Sequence, residues 1–437
     1  MRQRPLRPAL SKTMSGAAKP CCPGRQAGKA SRPIRLVASL LFPAIIASPA
    51  LAQQAAGTKP AETRPANAPD QKPAFAGQTR APQPADMPHI AASVVARDLP
   101  QLWSMEFLPD GRMLVTAKQG AMHIIDRQGK PGPAISGVPK VMSDGQGGLL
   151  DVALAPDYAT SGMIFFSFAE PRQDGNGTSV ASARLVADGN GAGRLENLKI
   201  IFRQMPSYDG RNHFGSRLAF GREGELYVTV GERSSPEPRV QAQDISSGLG
   251  KTFRITQDGK PWPGNPFIGT TGARPEIWSY GHRNLQAATI DGEGRFWTVE
   301  HGPRGGDELN RPQAGKNYGW PEVTYGIDYS GAPIGRGITA LQKTEQPVYY
   351  WDPVIAPSGM AYYDGNLIPE WKGAFLIGGL VAQGVVVVHM KDDKVLSEER
   401  ISLGARVRDV KVGPDGAVYA VTESRGGAST IVRLTRT

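Results

Sequence analysis

The chain has 437 residues, a formal net charge of +10 and 40% hydrophobic residues, enough to bury a sizeable core. Nine Lys or Arg and no Asp or Glu fall within residues 1–52, which leaves the rest near +1 and removes the nucleic-acid reading that the overall charge invites. Both cysteines, Cys21 and Cys22, lie in that same leader, so the remainder carries neither a disulfide framework nor a thiolate metal site.

In chain order, the leader comes first. A basic stretch ending at Arg35 precedes the apolar run LVASLLFPAIIASPALA, which closes on Ala50-Leu51-Ala52, a small-x-small cleavage pattern. This reads as an export signal over residues 1–52, with the bacterial periplasm as destination. The apolar run is too short and too proline-broken for a spanning helix, so no stable membrane insertion is expected after cleavage; an uncleaved anchor is the alternative. Residues 53–88 are rich in Ala, Pro and Gln and poor in large apolar side chains. That composition cannot offset chain entropy by burial and predicts a disordered linker, with the folded domain over 89–437.

From residue 100 one pattern returns six times: an alternating apolar run, an Asp/Gly turn, and a second β-rich run. The instances are SMEFLPDGRMLVT (104–116), LDVALAPDYATSGMIFFSF (150–168), SRLAFGREGELYVTV (216–230), LQAATIDGEGRFWTV (285–299), SGMAYYDGNLIPEWKGAFLIG (358–378) and RDVKVGPDGAVYAVT (408–422). Each reads as two strands of period two joined by a hairpin turn. Equivalent turns are 47 to 73 residues apart, and no sustained helical period competes. This spacing predicts an all-β fold, a six-bladed β-propeller of four-stranded antiparallel sheets. A pair of β-sandwiches is the alternative and explains the even spacing less well.

In a propeller the innermost strands converge on a central channel, so polar residues just before them share one mouth. Those positions hold Gln146, Asn212-His213 and Arg283-Asn284, and the sixth unit offers Arg406 and Arg408. Amides, a histidine and three arginines suit a planar polyanion, because guanidinium forks grip carboxylates and stack on conjugated rings. A further loop, EHGPRGGDELN (300–310), has an accessible backbone at Gly302, a carbonyl without a donor at Pro303, and carboxylates at Asp307 and Glu308. Carbonyl and carboxylate oxygens in one loop suit Ca²⁺; an ordinary glycine-rich turn is the alternative.

The ordered series GQGGLLDVALAPDY, RNHFGSRLAFG, SYGHRNLQAATID, EHGPRGGDELN, GKNYGWPEVTYG, APSGMAYYDG and RVRDVKVGPDGAVYAVTE resembles the soluble PQQ-dependent glucose dehydrogenases over roughly residues 95–435. It is most similar to their aldose sugar dehydrogenase branch. The resemblance implies a propeller that holds pyrroloquinoline quinone (PQQ) through Ca²⁺ and oxidises an aldose at C1 to a lactone, with electrons passed to a quinone or small redox carrier. It implies that His213 is the general base and that Arg283 polarises the reacting carbonyl. By the same resemblance Gln146, Asn284, Arg406 and Arg408 contact the cofactor, alongside His213 and Arg283, and the two C-terminal arginines face its carboxylates. Gly302 and Pro303 match carbonyl donors to the active-site calcium, and Glu308, Tyr318 and Asp328 resemble a second, structural calcium site.

Two positions depart from the glucose dehydrogenase branch. Asn212 stands where that branch has an aspartate beside the base, and Val381 stands at the place of a cofactor-contacting lysine. Two further readings of the same residues are a propeller lactonase or hydrolase with a channel metal, and a non-catalytic propeller that binds a sugar or a partner protein. The hydrolase wants several carboxylates or histidines converging on its metal, whereas the strand starts supply arginines and amides.

Overall fold

The computed structural model describes residues 56–437. The export signal read over residues 1–52 lies outside the described residues; among those described, no helix is long and apolar enough to cross a membrane.

The six repeats form the inner halves of six blades. The innermost strands are Leu102–Phe107, Leu149–Leu154, Leu218–Phe220, Leu285–Ile290, Pro357–Tyr362 and Arg406–Val412, which define blades 1 to 6. Each pairs antiparallel with the next strand of its repeat: Met113–Ala117, Met163–Arg172, Leu226–Val230, Phe296–Glu300, Phe375–Gly379 and Val418–Glu423. The turns between them take the expected form. Gly111, Gly224, Gly294 and Gly416 sit at φ of 83, 88, 85 and 77°, a conformation that costs glycine nothing and L side chains considerably more.

Blades 2 to 6 have four regular strands and blade 1 has three. Residues 131–135 take the outer place in blade 1, where the Gly132 and Ile135 amides donate to Ile124 and Met122 at 2.8 Å. Pro131 and Pro133 lack the N–H that a regular ladder would need there. Blade 6 is completed by Ile90–Leu99, which precedes blade 1 in the chain and pairs with Ser429–Arg436. That pairing closes the ring.

Apolar side chains fill the wedges between blades. Leu114, Met122 and Ile124 of blade 1 meet Leu149, Val152 and Phe166 of blade 2, all buried. Trp297 and Val299 of blade 4 likewise meet Met360 and Ile377 of blade 5. Burying each such side chain contributes about 1.5–3 kcal/mol, which makes these wedges the main stabilising contacts between blades.

The segment read as a disordered linker is instead ordered over its described part. Ala56–Pro60 pairs with Pro82–Pro84, and the chain between them docks on the outer strand of blade 4, Tyr349–Trp351. The Asn67 and Ala68 amides donate to the Asp352 carboxylate at 2.6 and 2.9 Å. Gln78 is fully buried, its carbonyl accepts from the Tyr350 amide at 2.9 Å, and its side-chain NH₂ donates to Pro347 at 3.0 Å. Composition misled because this strap gains its order from hydrogen bonds to an open sheet edge, not from apolar burial.

At the centre of the ring, Arg217 of blade 3 is 3% exposed and joins five blades. Its Nη1 lies 2.8 Å from Asp151 of blade 2 and 3.2 Å from Asp409 of blade 6, and its Nε donates to the Gln286 carbonyl of blade 4 at 3.1 Å. The Ser104 hydroxyl of blade 1 is 2.7 Å from Asp151 and 3.0 Å from Asp409. The carboxylate oxygens turned away from Arg217 accept the Leu218 amide (Asp151) and the Met105 amide (Asp409), at 2.7 and 2.9 Å. Removing the cation leaves two buried carboxylates facing each other. The variant Arg217→Met is therefore expected to lose about 3–5 kcal/mol of stability. Thermal and urea unfolding followed by circular dichroism check this, and an unchanged midpoint contradicts it.

Candidate active site

Two positions in every blade point to the same mouth of the channel, because the second strand returns to the level where the first began. One is the start of the innermost strand, which carries Gln146, His213, Arg283-Asn284 and Arg406. The other is the end of its partner, which carries Lys118 after Met113–Ala117, Glu232 after Leu226–Val230, His301 after Phe296–Glu300, and Glu423 at the end of Val418–Glu423. Sequence reasoning used the first set and missed the second. The repeat itself held the signal: a polar residue follows the second strand in blades 1, 3 and 4 and ends it in blade 6.

His213 is buried, at a φ of 50°. Its amide donates to the Gln146 side-chain oxygen at 2.9 Å, so blade 2 fixes the backbone of the blade 3 histidine. Its Nδ1 lies 3.3 Å from Oε1 of Glu232, an ion-pair distance whose alignment is too poor for a good hydrogen bond. Burial and the nearby Arg283 charge pull the His213 pKa below its usual value, and Glu232 opposes them in part. The imidazole is thus neutral at neutral pH, with a carboxylate on its Nδ1 side. Burial alone would raise the Glu232 carboxyl, but His213, Arg283 and the Ser234 amide bring it below the usual range. Asn212, by contrast, is exposed, and its carbonyl accepts from Arg233 Nε at 3.1 Å. The acid beside this histidine therefore comes from the end of the neighbouring strand and not from the preceding residue.

Arg283 is held at several points. Its amide donates to Glu300 at 2.6 Å, and its Nη1 donates to the His301 and Gly302 carbonyls at 3.0 and 2.8 Å. Its guanidinium lies 5.2 Å from the Trp320 ring centroid, and its Nε is buried without a partner. Glu300 is fixed in turn by His282, whose Nδ1 is 2.8 Å away and whose Nε2 meets Ser279 at 2.8 Å. The Asn284 side-chain oxygen accepts from the Gly215 amide at 3.1 Å, tying blade 4 to the His213 loop.

The mouth opens into a cavity of about 630 Å³ lined by Gln146, Arg406, Arg408, Lys118, His301 and Trp103, among others. Arg408 and Arg406 lie 2.7 and 3.3 Å from Glu423, which they hold below the ordinary carboxylate range against the effect of burial. Arg283 lines a much smaller adjoining chamber, and His301 lines both spaces. Burial first, then the charges of Arg283, His213 and Arg408, push the His301 imidazole well below its usual value, and its Nε2 has no partner.

The loop after Phe296–Glu300 is tightly folded. A Cβ on Gly302 would lie 2.3 Å from the Gly305 and Gly306 carbonyls, so only glycine fits. The Gly302 amide donates to Asp307, whose carboxyl also accepts the Ile355 and Ala356 amides, each at 2.8 Å; burial nevertheless pushes it up to about 7. Glu308 and Tyr318 both line the small chamber together with Glu300. Burial and the Glu300 charge raise the Glu308 carboxyl well above its usual range. The Tyr318 hydroxyl is already committed, donating to the Arg311 carbonyl at 2.6 Å and accepting from the Gln313 amide at 3.1 Å. Asp328 does not join them; it caps an outer turn, accepting from the Ser330 amide and hydroxyl at 3.0 and 2.8 Å. Among the described residues no three His, Cys, Asp or Glu side chains converge as a metal cluster.

Comparison with known proteins agrees with this architecture. The sequence profile of the family described as Glucose / Sorbosone dehydrogenase matches residues 99–433. Aldose sugar dehydrogenase YliI of Escherichia coli (strain K12) is 43% identical over 346 residues, covering 77% of this chain and 91% of that protein. The apo-form crystal structure of the soluble aldose sugar dehydrogenase from Escherichia coli superposes with a TM-score of 0.76 at 40% identity, covering 80% of this chain and all of that one (100%). The PQQ-bound form of aldose sugar dehydrogenase from Streptomyces coelicolor gives a TM-score of 0.65 at 29% identity, covering 80% of this chain and 99% of that one. With its six blades and a match that spans nearly the whole propeller, the chain belongs to the glucose/sorbosone dehydrogenase family.

Proposed function

We propose that this protein is an exported, PQQ-dependent aldose dehydrogenase that oxidises the C1 hydroxyl of a sugar to a lactone. Electrons leave to a quinone or small redox carrier, and the periplasm is the site of action. The observation that carries this reading is His213, buried where the innermost strand of blade 3 begins, with Glu232 3.3 Å from its Nδ1.

The residues present fit the cofactor. The cavity is walled by Arg406, Arg408 and Lys118, and the buried Nε of Arg283 and Nε2 of His301 lack partners. When bound, PQQ supplies a two-electron acceptor for hydride, with Ca²⁺ as the Lewis acid beside it. Gln146, Asn284, Arg406 and Arg408 would hold the quinone. The carbonyls of Gly302 and Pro303 would hold the calcium; both residues are buried, and the Gly302 carbonyl, which accepts from Arg283, would use its second lone pair. Donor chemistry suits a hard cation there, because neutral carbonyl oxygens are ordinary calcium ligands. For a second calcium, Glu308 remains a candidate through its chamber, whereas the Tyr318 hydroxyl and the Asp328 carboxylate have other partners.

Glu232 favours a proton on Nδ1 of His213, which leaves the Nε2 lone pair free to accept the C1 hydroxyl proton. As that proton moves to His213, hydride leaves C1 with its electron pair and the C1–O bond becomes a carbonyl. Arg283, braced by three hydrogen bonds, would offer a fixed positive charge to negative charge developing on a bound acceptor.

Purified protein loaded with PQQ and Ca²⁺ is expected to reduce a dye with aldoses as electron donors. A folded preparation with no turnover on any sugar of a broad panel overturns the reading. In His213→Gln turnover is expected to fall about 10²–10⁴-fold with PQQ binding retained, and near-normal turnover removes His213 as the base. The acid limb of kcat/KM is expected below pH 6.5, the ordinary histidine value, because the folded pKa is lowered and the neutral base persists to lower pH. Glu232 raises that pKa, so Glu232→Gln should shift the limb further toward acid; a shift toward alkaline pH contradicts the pairing.

A further inference from the structure

The charges around the mouth cavity are unevenly matched. Lys118, Arg406, Arg408 and Arg425 line it against one carboxylate, Glu423. Arg406 and Arg408 already share that carboxylate, at 3.3 and 2.7 Å. Lys118 instead donates to a neutral acceptor, the Ser143 carbonyl, at 3.1 Å. Burial pushes its pKa down and the Arg408 charge adds to this, while Asp144 and Glu423 oppose from a distance.

The stem of this side chain is rigidly placed. The Lys118 amide donates to Gln101 at 2.8 Å, and its carbonyl accepts from Leu149 of blade 2 at 3.1 Å. A Cβ on the adjacent Gly148 would lie 2.2 Å from that carbonyl, so the chain there is packed backbone on backbone. The blade 5 side of the cavity is uncharged. Leu380 lines it, and the next residue, Val381, is 45% exposed. Cations thus gather on blades 1 and 6, while blades 2, 4 and 5 contribute uncharged groups, among them Gln146, Gln286 and Leu380. A planar ligand with carboxylates at one edge matches that division, and a partly desolvated ammonium is a stronger partner for a carboxylate than one in water.

We propose that Lys118 binds a carboxylate of the cofactor together with Arg408, supplying from blade 1 the ammonium that blade 5 lacks at Val381. This rests on the quinone reading above. The contact is electrostatic, so its loss should depend on the ligand's charge and on salt.

The test titrates PQQ into the Ca²⁺-loaded protein and follows quenching of tryptophan fluorescence, with no turnover involved. Lys118→Gln is expected to raise the Kd for PQQ about tenfold at low salt and to flatten its salt dependence. Lys118→Arg should keep most of the affinity. Lys130→Gln, which removes the same charge from an outer turn, should change nothing. PQQ trimethyl ester, whose carboxylates are neutralised, should bind wild type and Lys118→Gln equally. Unchanged PQQ affinity in Lys118→Gln overturns the role of Lys118 and leaves the quinone reading standing, as does a penalty that persists with the ester. Wild-type protein that fails to bind PQQ sinks the quinone reading itself, and this proposal with it.

Discussion

Arg217 is the constraint on which the ring depends. Five blades place a hydrogen-bonding group on or beside its guanidinium, and each of the two carboxylates that neutralise it also accepts a backbone amide. A charge at the axis of a propeller has no access to bulk water, so it is tolerated only when carboxylates and hydrogen bonds offset its desolvation; here Nη2 alone is without a hydrogen-bond partner. Those partners come from strands far apart in sequence. The cluster therefore fixes how the innermost strands are staggered, and with them the height at which the mouth residues emerge. Trp103 lies 4.4 Å from the Arg217 guanidinium and also lines the mouth cavity, so the cluster and the cavity share a wall.

The electrostatics of the mouth follow from the same geometry. Arginines from blades 4 and 6 gather around two imidazoles, His213 and His301, and together with burial they keep both neutral. A neutral histidine with a carboxylate on one side is a ready proton acceptor. The positive charge left over nearby favours an anionic ligand and any negative charge formed on it. The same arginines thus prepare the base and provide for the anion.

The strap over residues 56–84 extends this organisation outward. Its Asn67 and Ala68 amides meet Asp352, and a Cβ on Gly305 would come within 2.8 Å of that carboxylate. Gly305 in turn packs against Gly302, whose carbonyl accepts from Arg283. A chain of close contacts therefore runs from the strap to the loop beside the reactive arginine. The strap also satisfies the outer edge of blade 4 at Tyr350, which would otherwise present unpaired backbone groups to solvent.

Period-two patterning and Asp/Gly turns are local properties, and they were enough to specify the six strand pairs, the turn glycines and so the propeller. The residues preceding each innermost strand were legible for the same reason, since their place relative to the repeat is fixed by sequence distance. Other features were decided only when blades met. Glu232 pairs with His213 because two strand ends of blade 3 return to one level, and Asn212 turns outward although it is the nearer neighbour in sequence. Asp328 and Tyr318 hydrogen-bond to local turn partners, and the strap is ordered by a sheet edge nearly three hundred residues further along the chain. Local chain geometry is written in neighbouring residues. Burial, and the pKa shifts and hydrogen-bond partners that come with it, depends on segments that only tertiary structure brings together.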